Sequence, residues 1–375
     1  MGKINVITPI HIATGNDYFT FTIYDKKRYP LEAMLDTVEN KEELIKSNGL
    51  NKLLNKNSVS QMSNDEFFRI FQVQSSKVDP SKALYSIDYY RYRTGKVAEC
   101  EKTCNNLYIP GSTIKGYIIN VAWYDMINKD QEIERYLSNN IKFLNKIATR
   151  VSQIQQVLVC RDIVLEDEKP YLYNCNRFGY NQRDNRETNM PVAIIETINK
   201  DVSKDEVEIY IEHNREMINQ YKVIKNSILS SIDRDRNSRD RRIEKKMVES
   251  LYKRLINLSS WFNKANEHFV SLNIDEELDF IDYTRNKSFD KNTLRDFYNN
   301  LKNKLSQGKI IIRIGKYTNY YFKTISSAFD NFYDRFSEVY SPSKRKSKPE
   351  IESMNILEGQ SGRFDMVPGY LEIEL

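Results

Sequence analysis

Ile109-Pro110-Gly111-Ser112-Thr113-Ile114-Lys115-Gly116 packs a turn, a helix start, a lysine and two glycines into eight residues. Pro110-Gly111 forces a turn. Ser112 suits the N-cap, and Thr113 opens a helix expected to run to Asn128. Ile114, Ile118, Val121 and Ala122 recur at helical spacing, so this helix buries one face. Unpaired backbone N–H groups at a helix start attract anions, and Gly111 and Gly116 let a bulky anion approach. Lys115 lies about 100° around from Ile114, off the buried face, where it can meet a phosphate. The same residues also suit a plain loop entering a core helix.

Four further stretches stand around the octet in a fixed order. Thr8-Pro9-Ile10-His11-Ile12-Ala13-Thr14-Gly15 precedes it. Cys160-Arg161-Asp162, Ile195-Glu196-Thr197-Ile198 and Ile312-Arg313-Ile314-Gly315 follow. With the octet they resemble the RAMP superfamily of CRISPR-associated RNA-binding proteins. That family's patterns are Ile/Leu-Pro-Gly-Ser-Ser-x-Lys-Gly, Thr-Pro-Val-His-Ile-Gly-x-Gly, an Arg-Asp in a central strand, Val-Glu-Thr-Ile/Leu and Leu-Arg-Leu-Gly. The combination is similar to the backbone-capping (fifth) subunits of type III-A (Csm) interference complexes. Two departures stand out: Ala13 replaces a glycine, and Tyr317-Thr318-Asn319 follows Gly315 where relatives often carry more glycines.

The resemblance implies an α+β fold with a ferredoxin-like, RRM-like core and a large helical insertion or helix-rich C-terminal part. It implies an RNA-binding domain over 1–198, with a thumb-like loop near 174–189, and a helix-rich domain over 199–375 with closing strands. The implied RNA-contacting residues are His11, Gly15, Gly111, Ser112, Lys115, Gly116, Arg161, Arg177, Arg183, Arg313, Gly315 and Lys316. The implied function is non-catalytic. The chain would hold the 3′ region of a CRISPR RNA and cap the backbone there, beside a RAMP backbone subunit and a small helical subunit, while host nucleases trim the guide. No metal or cofactor is expected. The alternative is a metal-independent endoribonuclease of the RAMP type that cuts CRISPR repeats, with His11 as general base.

Composition is compatible with both readings. The chain has 375 residues, 40% hydrophobic and 29% charged, with a net charge of +5, as expected of a globular protein of one or two units. No apolar run reaches the ~20 residues of a transmembrane helix, and the N-terminus reads into a strand, so a cytoplasmic location without membrane contact is expected. Cys100, Cys104, Cys160 and Cys175 lack the paired spacing of a zinc site and are expected as free thiols. Basic charge is clustered: 309–348 holds nine Lys/Arg against three Asp/Glu, and 233–246 seven against four. Such clusters attract phosphate, although the interleaved acids of 233–246 suit a solvated helix face.

Alternation over residues 3–12 predicts a strand, with its return over Phe19 to Tyr24 after a Gly15-Asn16-Asp17 turn. Tyr85 to Arg93 interleaves tyrosines with Arg91 and Arg93, as base-stacking surfaces do and as a tyrosine-rich core edge also does. Val157 to Leu165 reads as a strand. Asn174 to Asn189, with no apolar period, reads as an exposed loop or hairpin. Ile243, Met247, Leu251, Leu255, Leu258 and Phe262 form one helical stripe. Lys309 to Ile314 reads as a buried strand, Phe322 to Phe336 as a helix, 341–349 as a basic loop and Pro368 to Leu375 as a closing strand.

Overall fold

The two ends of the chain meet in one sheet. The computed structural model describes residues 2–38, 42, 62–140, 153–181, 186–210, 215–235, 240–284, 286–318 and 353–374. The strands that frame the site are β1 (Gly2–Val6), β2 (Ala13–Phe19), β3 (Lys96–Cys100), β4 (Asn106–Ile109), β5 (Ile163–Leu165), β6 (Tyr171–Asn181), β7 (Arg186–Thr197), β8 (Ser203–Val207), β9 (Ile310–Arg313), β10 (Ser353–Glu358), β11 (Phe364–Met366) and β12 (Tyr370–Glu374). The long helices are α1 (Gly111–Lys129), α2 (Gln131–Asn139), α3 (Arg215–Arg234), α4 (Arg241–Leu255), α5 (Phe262–Tyr283) and α6 (Lys291–Ser306). The fold is α+β.

The first sheet runs β8-β1-β12-β9, antiparallel throughout. Every residue of β9 is buried, which explains its unbroken Ile-Ile-Ile run: both faces are covered. Ile114 and Ile118 of α1 converge with Ile312, Ile373, Leu258 and Phe262, so the octet's helix packs on this sheet. The helical stripe expected from Ile243 to Phe262 is real but broken. Ile243, Met247, Leu251 and Leu255 line α4, Leu258 sits in a 3-10 turn, and Phe262 opens α5.

The second sheet runs β11-β10-β6-β7-β3-β2. Its centre is a long hairpin, with β6 paired to β7 from Tyr171↔Thr197 to Asn181↔Arg186. Of the exposed loop and the hairpin expected for Asn174 to Asn189, the described residues form the hairpin. Its alternation is hidden because one face mixes Asn174 and Asn176 with Phe178; Asn174 accepts from the Arg93 backbone N–H and donates to Glu358, and Asn176 donates to Asn189. A bulge beside Cys175 and Asn176 falls opposite Pro191, which has no N–H to give to a ladder.

Division of the chain at residue 198 cuts both sheets. β1 pairs with β8 and β12, and β6 pairs with β10, so segments from either side of 198 share strands and one apolar core from Ile4 to Ile373. The predicted first strand stops at Val6. Gly15-Asn16-Asp17 lies within β2 rather than in a turn, and the strand expected from Val157 is confined to Ile163–Leu165. The helix expected at Phe322 to Phe336, the basic loop at 341–349 and Arg183 lie outside the described residues. All four cysteines are free. No described helix is long and apolar enough to cross a membrane.

Candidate nucleic-acid interface

The octet folds as a strand end, a turn and a helix start, but its cap is not the expected one. The helix begins at Gly111, and Pro110 holds the N-cap position without a side-chain cap. The Gly111 N–H donates to Asp162 Oδ1 at 2.7 Å. A carboxylate of this chain thus takes the first free N–H of α1, and favourably so at the positive end of a helix. Pairing of β4 with β5 (Ile109↔Ile163) is what brings Asp162 there. Gly111 has a packing reason as well: a Cβ would stand 2.3 Å from the Cys160 carbonyl oxygen. Gly111 is accordingly a close-contact residue, not an open anion seat.

The rest of the turn faces outward. Ser112 and Gly116 are exposed, and nothing lies within 4 Å of a Cβ placed on Gly116. Lys115 is half-buried beside Cys160. Burial lowers its pKa from the ordinary lysine value, and burial likewise pushes the Cys160 thiol up to about 12. Arg161, next to the capping aspartate, is exposed and pairs with Glu208 at 2.5 Å. Arg177 is exposed on the hairpin, with Nε donating to Asn355 Oδ1 at 3.4 Å.

His11 lies inside the protein. Its ring is 1% exposed, packs against Tyr317 at 5.1 Å, and has Nδ1 2.6 Å from the Glu196 carbonyl oxygen. A carbonyl only accepts, so Nδ1 carries the proton, and Nε2 is buried with no partner among the described residues. Burial pushes the imidazole down to about 4, although the Glu196 carbonyl pulls the other way. Neutral and covered, His11 offers no positive charge to RNA in this geometry. Gly315 completes the contact: it has φ +105°, and a Cβ would stand 2.7 Å from the His11 carbonyl oxygen. The next residue's N–H donates to that same oxygen at 2.9 Å, and the Lys316 side chain is exposed. Gly15 is exposed on β2, also with positive φ.

Arg313 is corrected by the structure from a phosphate contact to an internal ion pair. It is 2% exposed, and Nη1 lies 2.5 Å from both carboxylate oxygens of Glu277 on α5. Nε donates to the Pro368 carbonyl at 3.0 Å, and the guanidinium sits over the Tyr370 ring. Tyr298 donates to the same carboxylate. The group ties the helical block to the first sheet.

Glu196 carries a second internal hub that the sequence reading did not include among the site residues. It is fully buried, and its carboxylate accepts from Tyr18 Oη (2.5 Å), Tyr85 Oη (2.8 Å), the Cys100 N–H (3.0 Å) and Lys102 Nζ (2.5 Å). Four donors fill the lone-pair capacity of a carboxylate. The hub therefore joins β2, β3 and β7 and leaves no free base. Its one sequence signal is Glu196 within the Glu-Thr motif; Tyr18, Tyr85 and Lys102 come from far along the chain. The charge-mixed run near 240 also pairs inward: Lys246 binds Asp130 and Glu132, and Lys245 binds Asp233. Among the described residues no group of three or more His, Cys, Asp or Glu side chains is placed to hold a metal ion.

No family model and no curated protein sequence matches the chain. Solved structures do. One chain of a cryo-EM structure of a Csm–crRNA–target RNA ternary complex from a type III-A CRISPR-Cas system aligns at a TM-score of 0.62 and 14% identity, covering 100% of both chains. The crystal structure of T. onnurineus Csm5 aligns at a TM-score of 0.54 and 14% identity, again over 100% of both chains. Along its whole length, then, this chain shares its fold with T. onnurineus Csm5 and with a chain of that Csm complex.

Proposed function

We propose that this chain is a non-catalytic CRISPR RNA-binding subunit of a type III-A (Csm) interference complex. It closes the backbone at the 3′ end of the guide and assists maturation of that end, which host nucleases trim. The observation that carries the reading is the full-length likeness to a chain of a Csm–crRNA–target RNA complex. The outward face of the octet supports it: Ser112 and Gly116 are exposed and Lys115 is half-exposed at the start of α1, with Arg161 and Arg177 also exposed. Contacts of this kind grip phosphates without reading bases, as a guide of variable sequence requires. The neighbouring subunits in this reading are a RAMP backbone subunit and the small helical subunit. The helical block, with its paired surface charges near 240, supplies an unlike face that resists further head-to-tail addition.

The assembled complex tests the reading. Native mass spectrometry should find one copy of this chain per guide, at the 3′ end, and assemblies lacking it should carry guides with untrimmed 3′ ends. The purified chain should leave repeat and target RNA uncut with or without divalent metal. Several copies per guide, or cleavage lost on His11→Ala, would overturn the proposal and favour a repeating backbone subunit or a nuclease respectively.

A further inference from the structure

A cleft of about 920 Å³ opens where the helical block meets the far half of the long hairpin, beside Phe178, Glu187 and Thr188 and away from the octet. One wall is 286–292, the link from α5 to α6 with the first residues of α6. The other is the turn at 362–364, between β10 and β11. Its size lies in the range of sites that enclose a small ligand, roughly 300–1,000 Å³.

The walls are fixed before anything binds. The Asp290 N–H donates to the Phe364 carbonyl at 2.9 Å and so joins the two walls. Asn286 is fully buried, and its amide donates to the Thr188 carbonyl of β7 at 3.1 Å, anchoring the cleft to the hairpin. Phe289 and Phe364 both meet the Phe178 ring of β6, at 5.3 and 5.0 Å, which makes the back of the cleft aromatic.

The charged part of the lining is mainly basic. Lys287 and Arg363 are exposed, and among the described residues the Lys287 ammonium has no partner. Lys291 donates to the Thr284 carbonyl, which leaves two of its three N–H donors to the cleft. Against these stands Asp290, which caps α6 through the Thr293 N–H (3.1 Å) and lies 3.6 Å from Arg363. Glu187 lies nearby, accepting from the Lys287 N–H at 3.4 Å. The polar face of the hairpin continues the path: Arg93 stands over the Phe364 ring at 5.6 Å and donates to Asn176 at 3.0 Å, and Arg91 donates to the Gly362 carbonyl at 3.1 Å.

Cations beside a part-exposed phenyl ring and amide donors are what one unit of single-stranded RNA needs: phosphate charge contact, a stacking surface and polar partners. We propose that this cleft is a second RNA site, holding one or two nucleotides of a single strand. Phosphates lie on Lys287 and Arg363, and a base lies against Phe364. The interleaved Arg91–Arg93 segment leads the strand in from the hairpin. The proposal rests on the RNA-binding reading above and adds a place that the octet does not supply.

The test uses the full chain and a single-stranded RNA oligonucleotide carrying 4-thiouridine. Ultraviolet cross-linking and peptide mass spectrometry should place cross-links within 286–292 or 361–366. In anisotropy titrations, Lys287→Ala/Arg363→Ala should weaken binding roughly 3- to 10-fold for unrelated sequences and flatten the log–log salt slope by about 1.4, two contacts' worth. Cross-links only elsewhere, with the double variant within twofold of the parent, would refute the cleft and leave the RNA-binding reading intact. An unaltered chain that binds no RNA overturns both. If the double variant misfolds, the cross-link map of the unaltered chain decides alone.

Discussion

Lys115 and Arg313 both stand beside a glycine in motifs that resemble RNA-contacting loops, yet the fold puts them in opposite places. Lys115 is on the rim of α1, half in solvent, whereas Arg313 is in the core, clamped to Glu277. The difference lies in what the rest of the chain brings to each motif. α5 delivers a buried carboxylate to Arg313, and two tyrosines complete the cage. Nothing comparable reaches Lys115, whose neighbour is a protonated thiol. A basic residue in a family motif can thus serve the scaffold in one loop and the ligand in the next, and only its distant partners decide which.

The sharpest way to break this contrast is to empty the core position. Arg313→Ala leaves the Glu277 carboxylate buried without its counter-charge, which costs about 3–5 kcal/mol. Urea unfolding of the full chain should show that loss as a lower midpoint at similar slope. Arg313→Met combined with Glu277→Leu removes both charges and should recover most of it, because replacing a whole buried pair is often neutral. A single variant as stable as the parent would mean that Arg313 does not hold the helical block.

His11 gives an intermediate effect, and its sign can be worked out. Its folded pKa, about 4, lies below the ordinary 6.5. The unfolded chain therefore binds more protons between those values. The contribution is fully present above pH 6.5 and is lost as pH falls through that window, by about 2 kcal/mol at pH 5. His11→Asn should flatten the stability–pH profile between pH 7 and 5. An unchanged profile would show that the imidazole is open to solvent, and would restore it as a candidate for contact with RNA.

Local pattern made much of the fold legible. The octet's helix, the isoleucine-rich β9 and the closing β12 follow from spacing and composition over a few residues. The helix cap did not, because Asp162 reaches Gly111 only through the pairing of β4 with β5. At Asn174 to Asn189 the sequence left loop and hairpin open, because asparagines held by Arg93, Glu358 and Asn189 make a polar face without an apolar period. β1 is paired on both sides with strands from beyond residue 200, and no window of sequence records a partner at that distance. Among the site residues, Ser112 and Gly116 are exposed at the start of the helix. His11 and Arg313 are buried, because long-range packing decides there.

The smallest effect on stability belongs to Lys115, and there the contrast with Arg313 becomes sharpest. Half in solvent and outside any described ion pair, its charge contributes little to folding; Lys115→Met should change stability by no more than about 0.5 kcal/mol. Methionine keeps an unbranched stem of similar reach, so this variant separates loss of charge from loss of packing. Binding should respond where stability does not. RNA affinity should fall a few-fold, equally for unrelated sequences, and the log–log salt slope should flatten by about 0.7, the share of one phosphate contact on a single strand. Anisotropy titrations at several potassium chloride concentrations measure both quantities. A fall in affinity confined to certain sequences would mean that Lys115 reads bases rather than phosphate. Unchanged affinity and slope, with stability lowered by 1 kcal/mol or more, would place Lys115 with Arg313 among the scaffold residues and remove the octet from the RNA interface.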